Sequence, residues 1–303
     1  MSAERAKALL GRVLGPRQLD RVRRAWHGLR RRDPRLAIRR RTFERANAGL
    51  PADRIEIRPG LRLSIEPSAR EGFEYFCFRS LDMGRELDGF LAWCRGKGTS
   101  RRRLLDVGAL HGIFSLAFAA GRPDAEALAI EPSPLAFPVL ARNAERNPAA
   151  PTRALQIAAG AAEGTIAMRL DWHHLEAVSA DEASAPGVLT IPVRPLDAIC
   201  AVEGFIPDVI KIDVEGYELE AIRGAVRLLG QVRPDLFIEA HPLHLERLGA
   251  SMAELFEVLR GFGYRVFDVH DRPVSAAKFA KERAVTRYRC APVLPRPREC
   301  GPA

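Results

Sequence analysis

The sequence lacks the features that would place it in a membrane or in an oxidising compartment. It has no uninterrupted apolar run of about 18 residues, the length that a membrane-spanning helix requires. Its first residues, MSAERAKALLGRVLG, carry charges where a signal peptide needs an apolar segment. Its five cysteines are odd in number, widely spread and free of C-x-x-C spacing, which argues against a disulfide framework and against a zinc site. We therefore expect a cytoplasmic protein.

Other absences narrow the class of ligand. No internal repeat or low-complexity segment interrupts the chain, and the sequence has no G-x-G-x-x-G turn of the kind that packs a helix N-terminus under a pyrophosphate. Nicotinamide-dependent oxidoreduction is therefore a remote alternative. The 303 residues, 47% of them apolar, can bury the core of one large domain plus an extension.

The basic charge is concentrated at the N-terminus. Residues 1–50 hold 15 Lys/Arg and 4 Asp/Glu, a balance of +11 in a chain whose net charge is +9. Apolar residues recur there at helical spacing: Leu9, Leu10, Val13, Leu14, Leu19, Val22, Trp26 and Leu29. This pattern predicts a basic amphipathic arm, either lying on an anionic membrane surface or packed on its own domain. Nucleic acid is the weaker alternative because only Trp26 and Phe43 could stack on bases.

The rest of the chain divides into a cap, a main domain and a tail. In residues 51–99, RIEIRPGLRLSIEP predicts a β-hairpin, GFEYFCF a short strand, and GRELDGFLAWCRGKG a helix with an apolar stripe. From residue 100 to about 295, apolar strands alternate with helices, which predicts a mostly parallel sheet covered by helices on both faces. Residues 296–303 form a Pro-rich, frayed tail.

Two features of this α/β domain predict its ligand, which should lie at the carboxyl ends of the strands. The turn Asp106-x-Gly108-x-x-x-Gly112 lets the backbone approach a bound molecule, and Glu131 ends the next strand, where it can accept hydrogen bonds from both hydroxyls of a ribose. An adenosyl group beside an amino acid moiety indicates S-adenosylmethionine. The candidate cofactor-binding residues are Asp106, Gly108, Ala109, Gly112, Glu131, Pro132 and Ala159.

At this point the sequence resembles a known family. The blocks LLDVGALHGIFSL, AIEPSPLAFPVLARNAERN, VIKIDVEGYELEAIRGA and PDLFIEAHP are similar to those of the FkbM-type S-adenosylmethionine-dependent methyltransferases, over roughly residues 100 to 270. The resemblance implies a class I methyltransferase fold, with a seven-stranded sheet whose last strand is antiparallel; RYRCAPVL would be that strand. It also implies methyl transfer to the hydroxyl of a sugar, a secondary metabolite or a lipid-linked glycan.

The sequence departs from the family pattern at two places. Leu110 and His111 stand where the family's loop has an Asn and its neighbour, so contacts of that amide are absent. Pro138 is expected to kink the second helix of the domain. A binding protein that keeps the adenosyl pocket, with vestigial catalysis and a membrane or RNA partner, is the alternative function.

Four ionisable residues are predicted to converge where the methyl group is transferred. Asp213 and Glu215 end one strand, and Glu239 and His241 end the next. His241 is the expected general base, because its ordinary pKa lies near working pH, and Glu239 is expected to orient it. Asp213 would sit near the cationic donor or the acceptor, and Glu215 would hold acceptor hydroxyls or anchor the turn.

The same residues allow other interpretations. Asp213, Glu239 and His241 could hold Mg²⁺, which would acidify the acceptor hydroxyl. Alternatively, Asp213 caps the helix after Gly216, His241 belongs to a turn, and Lys211 is the ion-pair partner of Asp213.

An insert at about residues 163–197 separates two strands of the domain. TIAMRLDW and LTIPVRPL within it predict an added hairpin. Trp172, His173 and His174 are candidates for an acceptor pocket, because inserts at the ligand edge commonly carry substrate choice. Alternatively, Trp172 closes the hydrophobic seam under the insert. His111 and the pair His173-His174 have no partner at ligand spacing, so a loop or surface role is expected for each.

Overall fold

The computed structural model describes residues 34–65, 81–96, 101–171, 174–178 and 180–293. The apolar stripe predicted between Leu9 and Leu29, the strand predicted over GFEYFCF and the tail 296–303 lie outside these residues. Among the helices that the structure describes, none is both long and apolar enough to cross a membrane.

The strands and helices follow one another along the chain. The strands are β1 Arg54–Arg58, β2 Leu61–Ser64, β3 Arg103–Val107, β4 Glu126–Ile130, β5 Thr152–Leu155, β6 Ala158–Ala159, β7 Gly164–Asp171, β8 His174–Ala177, β9 Val188–Arg194, β10 Val209–Ile212, β11 Asp235–Ala240, β12 Tyr264–Asp268 and β13 Thr286–Pro292. The α-helices are α1 Pro34–Asn47, α2 Leu81–Cys94, α3 Ile113–Ala119, α4 Phe137–Arg146, α5 Leu196–Val202, α6 Glu218–Arg223, α7 Pro242–Arg247, α8 Met252–Gly261 and α9 Ala276–Ala280.

Seven strands form the main sheet, in the order β12-β13-β11-β10-β3-β4-β5. β13 is antiparallel to both of its neighbours, while β10, β3, β4, β5 and β11 pair in parallel. The predicted seven-stranded sheet with an antiparallel last strand is therefore confirmed. Parallel strands need both faces covered, and every residue of β10 is buried.

The two faces of the sheet carry separate apolar cores. Leu105 belongs to the core on one face and Leu104 to the core on the other, as successive strand residues must. The predicted hairpin and helix of the cap are present, and they cover the second face. Phe90 of α2 packs there with its ring 5.3 Å from that of Phe114 and 5.2 Å from that of Phe237.

The insert forms a second sheet of four strands, in the order β6-β9-β7-β8. The two strands predicted from its sequence are β7 and β9, which pair antiparallel. Strand β6 joins this sheet in parallel with β9. Because β6 follows β5 directly, the insert lies against the ligand edge of the main sheet.

The predicted kink at Pro138 is wrong. Helix α4 begins at Phe137, so Pro138 lies in its first turn, where a backbone N–H has no intrahelical acceptor to lose. The helix therefore continues undisturbed to Arg146.

Candidate active site

The carboxyl ends of β3, β4 and β10 open onto a cleft. Six predicted site residues line it: Gly108, Glu131, Pro132, Ala159, Asp213 and Glu215. Sequence reasoning missed another group of lining residues, which are Leu110, Ile157, Ile166, Met168, Val214 and Tyr217. The other five predicted residues are placed behind the lining: Asp106, Ala109, Gly112, Glu239 and His241.

The glycine loop after β3 is shaped by close packing on its neighbours. Gly108 has a φ of +80°, and a Cβ atom there would overlap the carbonyl oxygen of Asp213. Gly112 has a φ of +85°, and a Cβ atom there would lie 2.7 Å from Cδ1 of Leu140. Both glycines are therefore required by the fold of the loop, and Gly112 acts through packing on helix α4.

Glu131 lies at the end of β4 and ties the glycine loop to the next turn. Its Oε2 accepts a hydrogen bond from the backbone N–H of Leu110 at 2.8 Å, and its Oε1 accepts one from Ser133 at 2.8 Å. A carboxylate has about four acceptor positions, so it can accept two further hydrogen bonds from a ligand. Burial raises the pKa of Glu131 to about 7, against the opposing effect of these two backbone N–H groups.

Asp106 is buried beneath the cleft, where it supports a lysine. It accepts a hydrogen bond from Oγ of Ser115 at 2.5 Å, and Nζ of Lys211 lies 3.7 Å from its other oxygen. Burial raises the pKa of Asp106, and the charge of Lys211 opposes this effect. Asp106 is therefore linked to the cleft through Lys211 and Asp213 and does not itself line it, so the predicted direct contact with the cofactor is not supported.

Asp213 is the carboxylate that links the buried pair of Asp106 and Lys211 to the cleft. Lys211 donates to its Oδ2 at 3.0 Å, which confirms the predicted ion pair. Burial opposes ionisation of Asp213, but the positive charges of Lys211 and His241 outweigh it and hold its pKa below its usual range. Helix α6 begins at Glu218 with Tyr217 at its N-cap position, so Asp213 does not cap this helix.

The four residues 213–216, which we call the DVEG tip, leave β10 in an unusual backbone conformation. Glu215 has a φ of +50° and Gly216 a φ of +103°. Left-handed backbone at a residue other than glycine costs on the order of 1–3 kcal/mol and persists only where the surroundings hold it. The tip turns the side chains of Asp213 and Glu215 toward the cleft.

His241 is not placed as the predicted base. Its Nδ1 lies 2.6 Å from Oε1 of Glu218, and its Nε2 lies 3.2 Å from Oε2 of Glu215. Burial favours the neutral ring, but the hydrogen bond with Glu218 and the charges of Glu215, Glu218 and Asp213 outweigh it and raise the pKa of His241 to about 9. The ring is therefore already protonated at neutral pH and cannot take a proton from an acceptor hydroxyl.

Glu239 does not orient His241, contrary to the prediction. Nη2 of Arg287 donates to its Oε1 at 2.6 Å, and Nε of the same arginine lies 2.7 Å from Oε1 of Glu86 in the cap helix. Burial, followed by the charge of Asp213, raises the pKa of Glu239 to about 8, against the opposing charge of Arg287. The carboxylate beside Nδ1 of the ring is Glu218, the last residue of the segment Lys211–Glu218, for which the sequence analysis predicts no role.

Among the residues that the structure describes, one group of side chains meets the distance requirement for a metal site. Single oxygen or nitrogen atoms of Asp213, Glu239 and His241 lie within 4.8 Å of one another. Lys211 and Arg287 already donate to two of these carboxylates, and the raised pKa of His241 favours its protonated ring, which is not a metal ligand. These positive charges would have to be displaced before a divalent cation could bind.

The insert contributes Ile166 and Met168 of β7 to the cleft. Trp172 and His173, two of the candidates for an acceptor pocket, lie outside the described residues, as does the side chain of His174. His111 is fully buried within the glycine loop, so the expected surface role is excluded and the loop role stands.

Comparison with known proteins identifies the family. Residues 106–266 match the family model for the methyltransferase FkbM domain. This range is more than half of the chain, so the chain belongs to the FkbM family of S-adenosylmethionine-dependent methyltransferases, and it has the class I methyltransferase fold. A search among curated proteins found no match.

Three solved structures of methyltransferases are among those similar to this chain. Methyltransferase FkbM from Methylobacillus flagellatus KT shares 22% identity, with a TM-score of 0.41, over 63% of this chain and 43% of that one. This chain thus spans less than half of the length of that protein. Magnesium protoporphyrin IX methyltransferase from Synechocystis PCC 6803, solved with bound S-adenosylmethionine, shares 13% identity, with a TM-score of 0.41, over 74% of this chain and 83% of that one. Precorrin-6y C5,15-methyltransferase from Geobacter metallireducens GS-15 shares 14% identity, with a TM-score of 0.38, over 67% of this chain and 84% of that one.

Proposed function

We propose that this protein binds S-adenosylmethionine in the cleft and transfers its methyl group to a hydroxyl of a sugar, a glycolipid or a secondary metabolite. The observation that carries the proposal is the ionised carboxylate of Asp213, held by Lys211 in the wall of the cleft beside the glycine loop. A carboxylate there is available to take the proton that a hydroxyl must lose as it attacks a methyl carbon.

The residues of the cleft have separable roles in this reaction. When bound, S-adenosylmethionine supplies an electrophilic methyl group on a cationic sulfur. Glu131 has acceptor positions left for the ribose hydroxyls, and Gly108 lines the cleft beside it. Asp213 and Glu215 place negative charge beside the cleft, which favours a cationic ligand over its neutral product.

Asp213 accepts the proton that the reaction releases. The hydroxyl oxygen forms a bond to the methyl carbon as the carbon–sulfur bond breaks and its electron pair stays on sulfur. The hydroxyl proton passes to the carboxylate of Asp213, from which it leaves to solvent. His241 cannot serve in this step because its ring is protonated in the resting protein.

The direct test is binding followed by transfer. Calorimetry should detect S-adenosylmethionine and S-adenosylhomocysteine binding to the wild-type protein and no binding of NAD. The protein should then transfer label from methyl-labelled S-adenosylmethionine to an acceptor in an extract of the host cells. After hydrolysis of the labelled product, the label should be recovered in an O-methyl compound. Binding without transfer would support the alternative of a non-catalytic adenosyl-binding protein, and an absence of binding would reject both.

We expect the affinity for S-adenosylmethionine to depend on the protonation of Glu131. Its ionised form accepts hydrogen bonds from ribose hydroxyls, and its pKa is about 7, so the binding form is present above pH 7 and lost as the pH falls. The dissociation constant should rise about tenfold between pH 8 and pH 6, in proportion to the lost ionised fraction. Glu131→Gln should bind more weakly and without this dependence. A dependence that survives this substitution would assign the titration to another group.

We expect methyl transfer to be independent of divalent cations. Lys211 and Arg287 already donate hydrogen bonds to Asp213 and Glu239, which are the carboxylates of the candidate metal cluster. Dialysis against EDTA should therefore leave the rate unchanged, and added Mg²⁺ should not raise it. A loss of activity on dialysis that Mg²⁺ restores would instead favour a magnesium-assisted reaction at Asp213, Glu239 and His241.

A further inference from the structure

Glu218 is a buried carboxylate that the reaction described above does not use. It lies at the start of α6 and is fully buried. Its Oε1 accepts a hydrogen bond from the backbone N–H of Gly216 at 3.1 Å and lies 2.6 Å from Nδ1 of His241. Its Oε2 accepts no hydrogen bond from the residues that the structure describes. A buried carboxylate of this kind is costly unless a positive charge lies beside it.

His241 supplies that charge and extends the contact to the DVEG tip. Its ring is buried, with Nδ1 toward Glu218 and Nε2 toward Glu215, while Asp213 lies farther away, with Oδ1 at 4.0 Å from Nε2. The ring of His244 stacks on it, with the centroids 5.6 Å apart and the planes at 15°. A ring that donates from both nitrogens joins helix α6 to the tip, and only the protonated ring has two N–H groups.

The tip needs such support because its backbone is strained. Glu215 carries a φ of +50°, and a Cβ atom at Gly216 would overlap His244. His244 contributes a further contact, with Nδ1 lying 3.2 Å from the carbonyl oxygen of Glu215. Glu218 thus holds the backbone of the tip at Gly216, and His241 holds its side chain at Glu215.

We infer that Glu218 and His241 are positioning residues for methyl transfer, which act together by fixing the DVEG tip so that Asp213 faces the cleft. This inference rests on the proposed function. Neither residue lines the cleft, so each acts on the reaction through Glu215, Gly216 and ultimately Asp213. Glu218 follows Asp213 and Glu215 by five and three residues, so one short segment supplies all three carboxylates.

The first test is the protonation state of His241 in the wild-type protein, measured from its ring ¹⁵N shifts. Both nitrogens should carry protons at pH 7.5 and lose one only near pH 9. This measurement needs neither cofactor nor acceptor, so it separates failure of the positioning pair from failure of the proposed function. A neutral ring at pH 7.5 would contradict the inference that Glu218 and His241 act together as positioning residues.

The second test replaces Glu218 with glutamine, which keeps the shape of the side chain and removes its charge. The turnover number should fall about tenfold to a hundredfold, while the dissociation constant for S-adenosylmethionine changes less than about threefold. Glu220→Gln is the matched control on the same helix, because Glu220 pairs only with the exposed Arg223 among its described ion-pair partners, and it should leave both values unchanged.

The pH profile separates positioning from a merely structural role. The positioned form is the protonated ring, so the wild-type turnover number, measured at saturating S-adenosylmethionine so that the titration of Glu131 does not enter, should be complete below pH 9 and lost as the pH rises through it. Removing the charge of Glu218 lowers the pKa of His241, so the loss should move toward neutral pH in Glu218→Gln. A uniform loss of activity at every pH, or an unchanged profile, would contradict the inference.

Discussion

Replacing Asp213 with asparagine is expected to reduce methyl transfer about a hundredfold to ten-thousandfold, the range by which a positioned proton acceptor accelerates a reaction. Asparagine fills the same volume beside Lys211 but has no charge and little basicity. The cofactor should still bind, because Glu131 and the glycine loop are intact, and its affinity should fall by less than about tenfold. The measurements are the rate of label transfer under saturating cofactor and the dissociation constant from calorimetry.

The comparator for this substitution is Glu215→Gln, at the other carboxylate of the tip. Glutamine can still accept a hydrogen bond from Nε2 of His241, which lies 3.2 Å from Glu215 in the wild-type protein. We therefore expect a loss below about tenfold for this variant, since the proton acceptor itself remains. Full activity in Asp213→Asn together with a large loss in Glu215→Gln would indicate that Glu215, and not Asp213, is the proton acceptor.

The fold could be predicted from the sequence because its signals are local and repeated. Apolar strands such as Val209–Ile212 alternate with helices, and each pattern depends only on burial and on the period of the element. The glycine loop and Glu131 were found for the same reason, since each ends a strand whose direction the pattern fixes. The position of Pro138 was misjudged because a shift of one or two residues in a helix start changes the effect of proline completely.

The partners of the site residues depend on contacts that spacing does not reveal. Strand β11 ends at Ala240, so His241 no longer follows the alternation that would have placed it beside Glu239. Arg287 reaches Glu239 because β13 pairs with β11 in a register that sets these two residues opposite each other. Glu218 at the start of α6 lies 2.6 Å from His241, which follows the end of β11, although 23 residues of chain separate them. The end of β11, the register of β13 and the contact between Glu218 and His241 cannot be predicted from the few residues on either side of each site residue.

Replacing Gly108 with alanine is expected to be among the most damaging single changes in the chain. Its φ of +80° strains any residue with a side chain, and the new Cβ atom would overlap the carbonyl oxygen of Asp213. The strain and the overlap together should lower the free energy of unfolding by roughly 2–5 kcal/mol. Because the overlap is with the backbone of the DVEG tip, molecules that still fold should have a displaced Asp213 and little methyl transfer.

Gly187→Ala separates the two components of this effect. Gly187 has nearly the same φ, +81°, but a Cβ atom there would meet nothing within 4 Å. It should therefore show only the backbone strain, about 1–2 kcal/mol in chemical denaturation, with normal cofactor affinity and activity. Equal losses of stability in the two variants, with methyl transfer retained by Gly108→Ala, would mean that the glycine loop and the DVEG tip move independently. The close approach of Gly108 to Asp213 would then not be what holds the carboxylate in the cleft.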